Sequence, residues 1–383
     1  MAFYLDHAAS TPVHSAALAA MVEALTETYG NPSGAHRLAR EANRKLDAAR
    51  ATLAEVFGLA PGNIVFTSGG TEADSLAING ALRRAIQIGR RGVAVCSAIE
   101  HHAVLEPVEA TGGTTIAVDP TGVLDLDDLG RVLRELQKQG TEVAVVSVMA
   151  ANNETGIVQP VTDAVRIVRE LAPEALFHTD AVQFSAWCNT AEIVDAVDLM
   201  SVSGHKFGGP KGAGFLSVRT GVALPSIQLG GGQERGRRGG TQNVPGNVAL
   251  AAAAAAMDGE RAAAVPRVRE LRDRLAATIL DGVPEAVLTG AGVERLPNIA
   301  HFCLPGIESE PLLYLMEKDD VMASAAASCS SGAQQASHVL AAMGVPPASG
   351  ALRLSLGYHS TEADVDAAVT SVIAACERIR SRG

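Results

Sequence analysis

Leu199-Met200-Ser201-Val202-Ser203-Gly204-His205-Lys206 is an apolar run of strand length that ends in a lysine. Leu176-Phe177-His178-Thr179-Asp180-Ala181-Val182-Gln183 is a second such run, and it ends in an aspartate. Similar short apolar runs occur at Ile64–Thr67, Val93–Ser97, Thr115–Val118, Val143–Val148 and Gly214–Val218. Strands buried on both faces read this way. Between them apolar residues fall at helical spacing, most clearly from His36 to Phe57, where Leu38, Ala42, Leu46, Ala49, Leu53 and Val56 form one stripe. Arg40, Arg44, Lys45 and Arg50 are expected mostly off that stripe. The alternation predicts an α/β fold with a mainly parallel, seven-stranded sheet covered by helices.

The remaining chain continues the same way. The alanine tract Ala251–Ala256 is read as part of a long helix that leaves the large domain, because alanine has the highest helix propensity and lets helices approach closely. Beyond Pro266 come a helix, a strand, a stretch of small polar residues, a further strand and a last helix. Thr361 is expected to cap that helix together with Asp364. The expected domains are 13–257, and 1–12 with 258–383, the second a smaller α+β unit completed by the N-terminal segment.

The chain has 383 residues, 47% hydrophobic and 19% charged, which is enough for a large core divided between two domains. Acidic residues outnumber basic ones by 42 to 31, for a formal net charge of -11 that argues against a general nucleic-acid binder. Five scattered cysteines contain no CxxC and no structural-zinc spacing, so reduced thiols in a cytoplasmic protein and no metal are expected. The start lacks the order of a secretory signal, and no apolar run is long enough to span a bilayer.

Ligands of open α/β sheets sit beyond the carboxyl ends of the strands, so Asp180 and Lys206 can face one crevice. An aspartate and a lysine there suit pyridoxal phosphate (PLP): the amine joins the aldehyde, and the carboxylate keeps the ring nitrogen protonated. Taken singly, the aspartate reads equally as a helix cap and the lysine as a surface amine. Phe66-Thr67-Ser68-Gly69-Gly70-Thr71-Glu72-Ala73 is a strand, a Gly-Gly turn and a helix start, which would offer backbone N–H groups and the Thr71 hydroxyl to a phosphate. No GxGxxG fingerprint follows a strand, and Gly208–Gly214 lacks Walker A order, so dinucleotide and nucleoside triphosphate sites are disfavoured.

Eight strings now stand in order along nearly the whole chain. They are Tyr4-Leu5-Asp6-His7-Ala8-Ala9, Gly30-Asn31-Pro32-Ser33, Ser68-Gly69-Gly70-Thr71-Glu72, Glu100-His101-His102-Ala103-Val104, Asn152-Asn153-Glu154-Thr155-Gly156, Asp180 with Gln183, Ser203-Gly204-His205-Lys206 and Gly240-Thr241. Together they resemble the cysteine desulfurases of the class V aminotransferase fold. The resemblance implies a PLP enzyme of fold type I acting on L-cysteine as a homodimer. It implies Lys206 as the amine that holds the cofactor, Asp180 on the pyridine nitrogen, Gln183 on the ring's phenolic oxygen and His101 stacked on the ring and moving protons. Gly70, Thr71, Ser203 and His205 would hold the phosphate, with Thr241 reaching in from the partner subunit. Asn152 and Arg353 would grip the substrate carboxylate, with Asn31 nearby and Asn152 also close to the cofactor.

The sulfur chemistry asks for a thiol. Cys96, Cys303 and Cys376 lie in apolar patterns and Cys188 follows Trp187, so all four read as small hydrophobes. Cys329 lies instead among small polar residues, Ala323-Ser324-Ala325-Ala326-Ala327-Ser328-Cys329-Ser330-Ser331-Gly332, and is expected on a mobile loop over the site. The family's mechanism implies that its thiolate takes the substrate's sulfur as a persulfide, releasing alanine and carrying the sulfur to a protein acceptor such as an iron–sulfur scaffold or sulfur carrier. Members with this loop type usually carry glycine before the cysteine. Ala325-Ala326-Ala327-Ser328 stands there instead, so a stiffer or partly helical approach is expected. Arg235, Arg237 and Arg238 form the most basic patch; a solvated loop and a phosphate or acceptor surface both suit it. Selenocysteine lyase, another PLP lyase or aminotransferase, and a slow dimer that docks sulfur acceptors are the alternatives on the same fold.

Overall fold

The structure is a computed structural model that describes residues 2–326, 337–347 and 349–381. Along the chain run β1 (Phe3–Tyr4), α1 (Ser15–Glu27), α2 (Arg37–Phe57), β2 (Ile64–Thr67), α3 (Gly70–Gln87), β3 (Gly92–Ser97), α4 (His102–Ala110), β4 (Thr114–Ile116), α5 (Leu126–Lys138) and β5 (Glu142–Ser147). They are followed by α6 (Val161–Leu171), β6 (Leu176–Asp180), α7 (Phe184–Trp187), α8 (Ala191–Val194), β7 (Leu199–Ser203), β8 (Gly214–Val218) and α9 (Val244–Gly282). The last elements are β9 (Val287–Leu288), β10 (Ile299–Pro305), α10 (Ser309–Lys318), β11 (Val321–Met322), α11 (His338–Ala342), β12 (Ser349–Ser355) and α12 (Glu362–Arg380).

The seven-stranded sheet has the order β2-β8-β7-β6-β5-β3-β4. It is parallel except for β8, which runs antiparallel to both β2 and β7. Side chains alternate across it as strand pleating requires. Val65, Val145, Leu176, Leu199 and Leu216 face the helices α3 and α4 in one core cluster. Phe66, Val146, Phe177, Met200 and Phe215 point into the larger cluster on the other face. The sheet is thus covered on both sides, which is why its strands carry almost no polar residues until their carboxyl ends. There Asp180 lies in register with Ser201, and Ser203 with Gly214.

Most expected elements form, and the departures have local causes. The expected strand at Thr115–Val118 leaves the ladder after Ile116, because Val118 makes an isolated bridge with Leu124. Helix α2 begins where expected: His36 is its N-cap, with Nδ1 accepting from Ala39 N–H, and Gly58 ends it at φ +68°. Arg50, expected off the buried stripe, is instead buried and bonded to Glu234. Helix α9 runs unbroken for 39 residues through Pro266 and packs on α1 and α2, and its Ala251, Ala253 and Ala254 are buried in the larger core cluster. Thr361 and Asp364 form the expected reciprocal cap at the start of α12.

A second, antiparallel sheet has the order β12-β10-β9, and β1 pairs in parallel with β11. The N-terminal segment therefore sits beside chain more than three hundred residues away. That pairing supports the division into 13–257 and 1–12 with 258–383 as a proposal; α9 spans the 257/258 boundary. Among the described residues no helix is long and apolar enough to cross a membrane.

Candidate active site

Beyond the carboxyl ends of β6 and β7 lies a cavity of about 440 Å3. The expected residues Gly70, Thr71, His101, Asp180, Gln183, Ser203, His205, Lys206 and Arg353 all line it. Ala8 and Ala9 of the N-terminal segment, Asp74 and Asn153 complete much of the wall. A larger cavity of about 700 Å3 shares only Gln183 and Lys206 with this one. The chemistry-bearing groups converge on the smaller space.

Lys206 follows β7 in a short turn and is folded back onto the N-terminal segment. Its Nζ donates to Ala8 O at 2.7 Å and to Ala9 O at 3.0 Å. Burial, helped by the Arg353 charge, pulls the ammonium down to about 8, against the smaller opposing pull of Asp180 and Asp6. Near pH 7 about one amine in ten is then uncharged and nucleophilic, far more than for an ordinary lysine. Gln183 Nε2 donates to the same Ala8 carbonyl at 2.8 Å.

Asp180 closes β6 and is buried, with Oδ1 accepting from Val182 N–H at 2.8 Å. Burial raises its pKa, while His101, the Val182 bond and Lys206 pull the other way. A buried carboxylate of this kind is complete only with a cationic or protonated partner in the cavity. His101 is the N-cap of α4, its Nδ1 accepting from Ala103 N–H at 3.1 Å. That bond leaves the neutral ring's proton on Nε2, and desolvation by the surrounding protein lowers the ring's pKa against the opposing pull of Asp180.

The opposite end of the cavity suits an anion. Helix α3 starts at Gly70 without a side-chain cap, so its first N–H groups stay free. Gly69 has φ +148°, and a Cβ on Gly70 would come within 2.9 Å of Val182 Cγ2, so glycine is needed for the backbone to approach this closely. The Ser203 and His205 side chains stand in the same wall, and His205 Nδ1 lies 3.4 Å from Ser10 Oγ.

Arg353 comes from β12, where it is cross-strand partner to His301. Its Nη2 donates to Asp6 Oδ1 at 2.7 Å and its Nη1 to Asn153 O at 2.8 Å, while Nε is buried without a partner. The planar fork already holds a carboxylate.

Asn152, expected at the substrate and cofactor, is buried behind the cavity wall and does not line it. Its Oδ1 accepts from the N–H groups of Glu154 and Thr155 and from the Thr155 hydroxyl, and its Nδ2 donates to Ile99 O. Both ends of the amide are engaged in the turn, and the neighbouring Asn153 lines the cavity. Asn31 and Thr241 are exposed and do not line this cavity. Cys329 lies outside the described residues. Just before it, Ser324 bridges to Arg353, so the chain is not helical at 324–326 as the alanines led one to expect. Ala326 takes φ +66°, the left-handed region that favours glycine.

A model of the class V aminotransferases matches residues 3–368. The chain belongs to the class V aminotransferase family. An IscS-like cysteine desulfurase of Mycobacterium tuberculosis is 41% identical over 388 residues, which is 98% of this chain and 97% of the relative. Among solved structures, a NifS-like protein superposes with a TM-score of 0.88 at 34% identity, covering 99% of this chain and 100% of its own. SspA in complex with cysteine gives 0.79 at 28% identity, covering 94% and 99%.

Within this class V aminotransferase cavity, sequence reasoning passed over several participants. The carbonyls of Ala8 and Ala9 could not be foreseen, because they meet Lys206 only through the fold. Asp74 was legible in principle as an acid on the apolar face of α3. It lines the cavity beside Asp180, and burial together with the Asp180 charge raises its pKa strongly. Glu100, also buried and raised, accepts from Met149 N–H at 2.6 Å behind the same wall.

Proposed function

We propose that the protein is a PLP-dependent cysteine desulfurase, which converts L-cysteine to L-alanine and passes the sulfur on from Cys329. One observation carries the reading in a chain so similar to cysteine desulfurases: the softened amine of Lys206 opens on the same cavity as buried Asp180, His101 and a free helix end. The donor set fits PLP. The uncapped N–H groups of α3 and the Thr71, Ser203 and His205 side chains suit its phosphate, Asp180 suits its ring nitrogen, and Lys206 suits its aldehyde. Thr241 would join the phosphate from the second subunit of a homodimer.

The cofactor, when bound, supplies an electron sink for a carbanion at the substrate's α-carbon. The protein's groups do the rest. Arg353 orients the substrate carboxylate, which would share or replace the place of Asp6 on its fork. Lys206 Nζ takes the Cα proton, and the Nε2 proton of His101 serves the substrate from another side. The Cys329 thiolate then attacks the substrate's sulfur: an S–S bond forms, the C–S bond breaks with its electron pair left on Cβ, and protonation of Cβ together with return of a proton from Lys206 to Cα gives alanine. The persulfide is delivered to a protein acceptor, an iron–sulfur scaffold or a sulfur carrier. The four described cysteines are free thiols, which suits the cytoplasm as the site of this work.

Alanine release from L-cysteine under a reductant tests the reading. Alanine and sulfide should appear in equal amounts, and Cys329→Ser should stop both while the bound cofactor keeps its yellow colour. Pyruvate and ammonia in place of alanine would assign a β-elimination instead.

A further inference from the structure

The helix end read as the phosphate site already carries an anion. Glu72 stands in the first turn of α3, and two negative groups sharing one helix N-terminus repel each other. Glu72 has a structural task there, since its Oε2 accepts from Ser68 N–H at 2.8 Å and closes the strand-to-helix turn. It performs that task ionised. Burial pushes its carboxyl up, but the bonds from Arg238 and Ser68 outweigh this and hold it below the ordinary value.

Arg238 meets this carboxylate with two nitrogens, Nε to Oε1 at 2.8 Å and Nη2 to Oε2 at 3.4 Å. The loop that carries Arg238 is tied to the same strand–helix connection a second time. Glu234 accepts from both Nη atoms of buried Arg50 and from Phe66 N–H in β2, each at 3.0 Å. Glu234 and Arg235 hold φ values of +47° and +58°, a conformation non-glycine residues adopt only where contacts fix them. The other arginines of the patch do something else: Arg235 donates to Gly62 O and Arg237 to Val222 O. Only Arg238 reaches α3.

We propose that Arg238 is a positioning residue of the anion site: it neutralises Glu72, so that the turn Glu72 closes can also receive the phosphate of the cofactor. Phosphate at the start of α3, on which this rests, belongs to the proposed function.

Binding of PLP and of pyridoxal, which lacks the phosphate, separates the two ideas when measured by absorbance on the full-length protein stripped of cofactor. Wild-type protein should bind PLP much more tightly than pyridoxal. Arg238→Met should weaken PLP about tenfold, the upper range for a charge at a helix end, and leave pyridoxal nearly unchanged. Adding Glu72→Gln should restore most of the loss, and Arg238→Lys should lose less than Arg238→Met. Equal weakening of both ligands, no weakening of PLP, or no rescue by Glu72→Gln would overturn the proposal. If Arg238→Met does not fold, Glu72→Gln alone decides, with tighter PLP binding expected and weaker binding fatal. A wild type that fails to distinguish PLP from pyridoxal removes the phosphate site itself, an outcome distinct from the others.

Discussion

The cavity has two walls of different origin. One is made of strand and helix ends: Asp180 closes β6, Lys206 follows β7, Gly70 and Thr71 lie at the start of α3 and His101 caps α4. The other is assembled from distant chain, with Ala8 and Ala9 under Lys206, and Arg353 bonded to Asp6 across 347 positions. The first wall is positioned by the backbone of the large sheet and needs no partner to keep its place. The second exists only once the N-terminal segment has paired with β11 and bridged to Ser355 of β12. Under the proposed function Lys206, Asp180 and His101 belong to the first wall and Arg353, the substrate grip, to the second, so chemistry and recognition should be separable by mutation.

The largest effect is expected on the first wall. Under the proposed function Lys206→Ala removes both the amine that would hold the cofactor and the base at the substrate's α-carbon. Turnover should fall by about a thousandfold or more, since a covalent and an acid–base role are lost together. The absorption of the bound aldehyde should vanish with it. The fold should survive, because Lys206 contributes two exposed or half-buried bonds to the N-terminal segment rather than core packing. Residual yellow colour that tracks the protein would place the aldehyde on another amine and dissolve the contrast between the walls.

Arg353→Lys should act on recognition and not on chemistry. It keeps the charge but loses the fork that contacts Asp6 and Asn153 at once. KM for L-cysteine should rise about tenfold while kcat changes much less, the pattern of an interaction lost equally in ground and transition states. A fall in kcat with unchanged KM would show that Arg353 serves the reacting atoms and that the walls are not divided by task.

The two walls also differ in how far the sequence revealed them. Strand ends obey local rules: an apolar run that stops at Asp180 or at Ser203-Gly204-His205-Lys206 announces where the side chain will stand, and both Asp180 and Lys206 line the cavity beyond their strands. Long-range partners follow no such rule. Arg50 looked like a surface charge because its partner, Glu234, is 184 positions away. Asn152 and Asn153 are adjacent and chemically identical, and only the turn decides which amide is consumed by the backbone. A helix was expected beyond Pro266, and α9 instead continues through it as one helix, with Ala264 and Val268 buried on either side. Tertiary packing overrode local propensity there.

The smallest expected effect concerns what lies behind Arg353. His301 is its cross-strand partner, fully buried, with Nδ1 2.8 Å from Thr289 Oγ1 and Nε2 without a partner. Burial first, and the Arg353 and Arg295 charges next, push the imidazole down to about 3. The unfolded chain takes up a proton near pH 6.5 that the folded protein refuses, so this histidine's contribution is complete above pH 6.5 and is lost as the pH falls toward 3. The loss is about 1.4 kcal/mol for each pH unit in that window. His301→Asn keeps a polar atom for Thr289 but cannot titrate. Between pH 6.5 and 4.5 the wild type should therefore lose about 2.3 kcal/mol more stability than the variant in urea unfolding. Buried His178, also pushed down to about 3, should keep its own acid-dependent loss in both proteins. Equal slopes would mean that His301 charges in place, beside Arg353, and that the second wall tolerates a second cation.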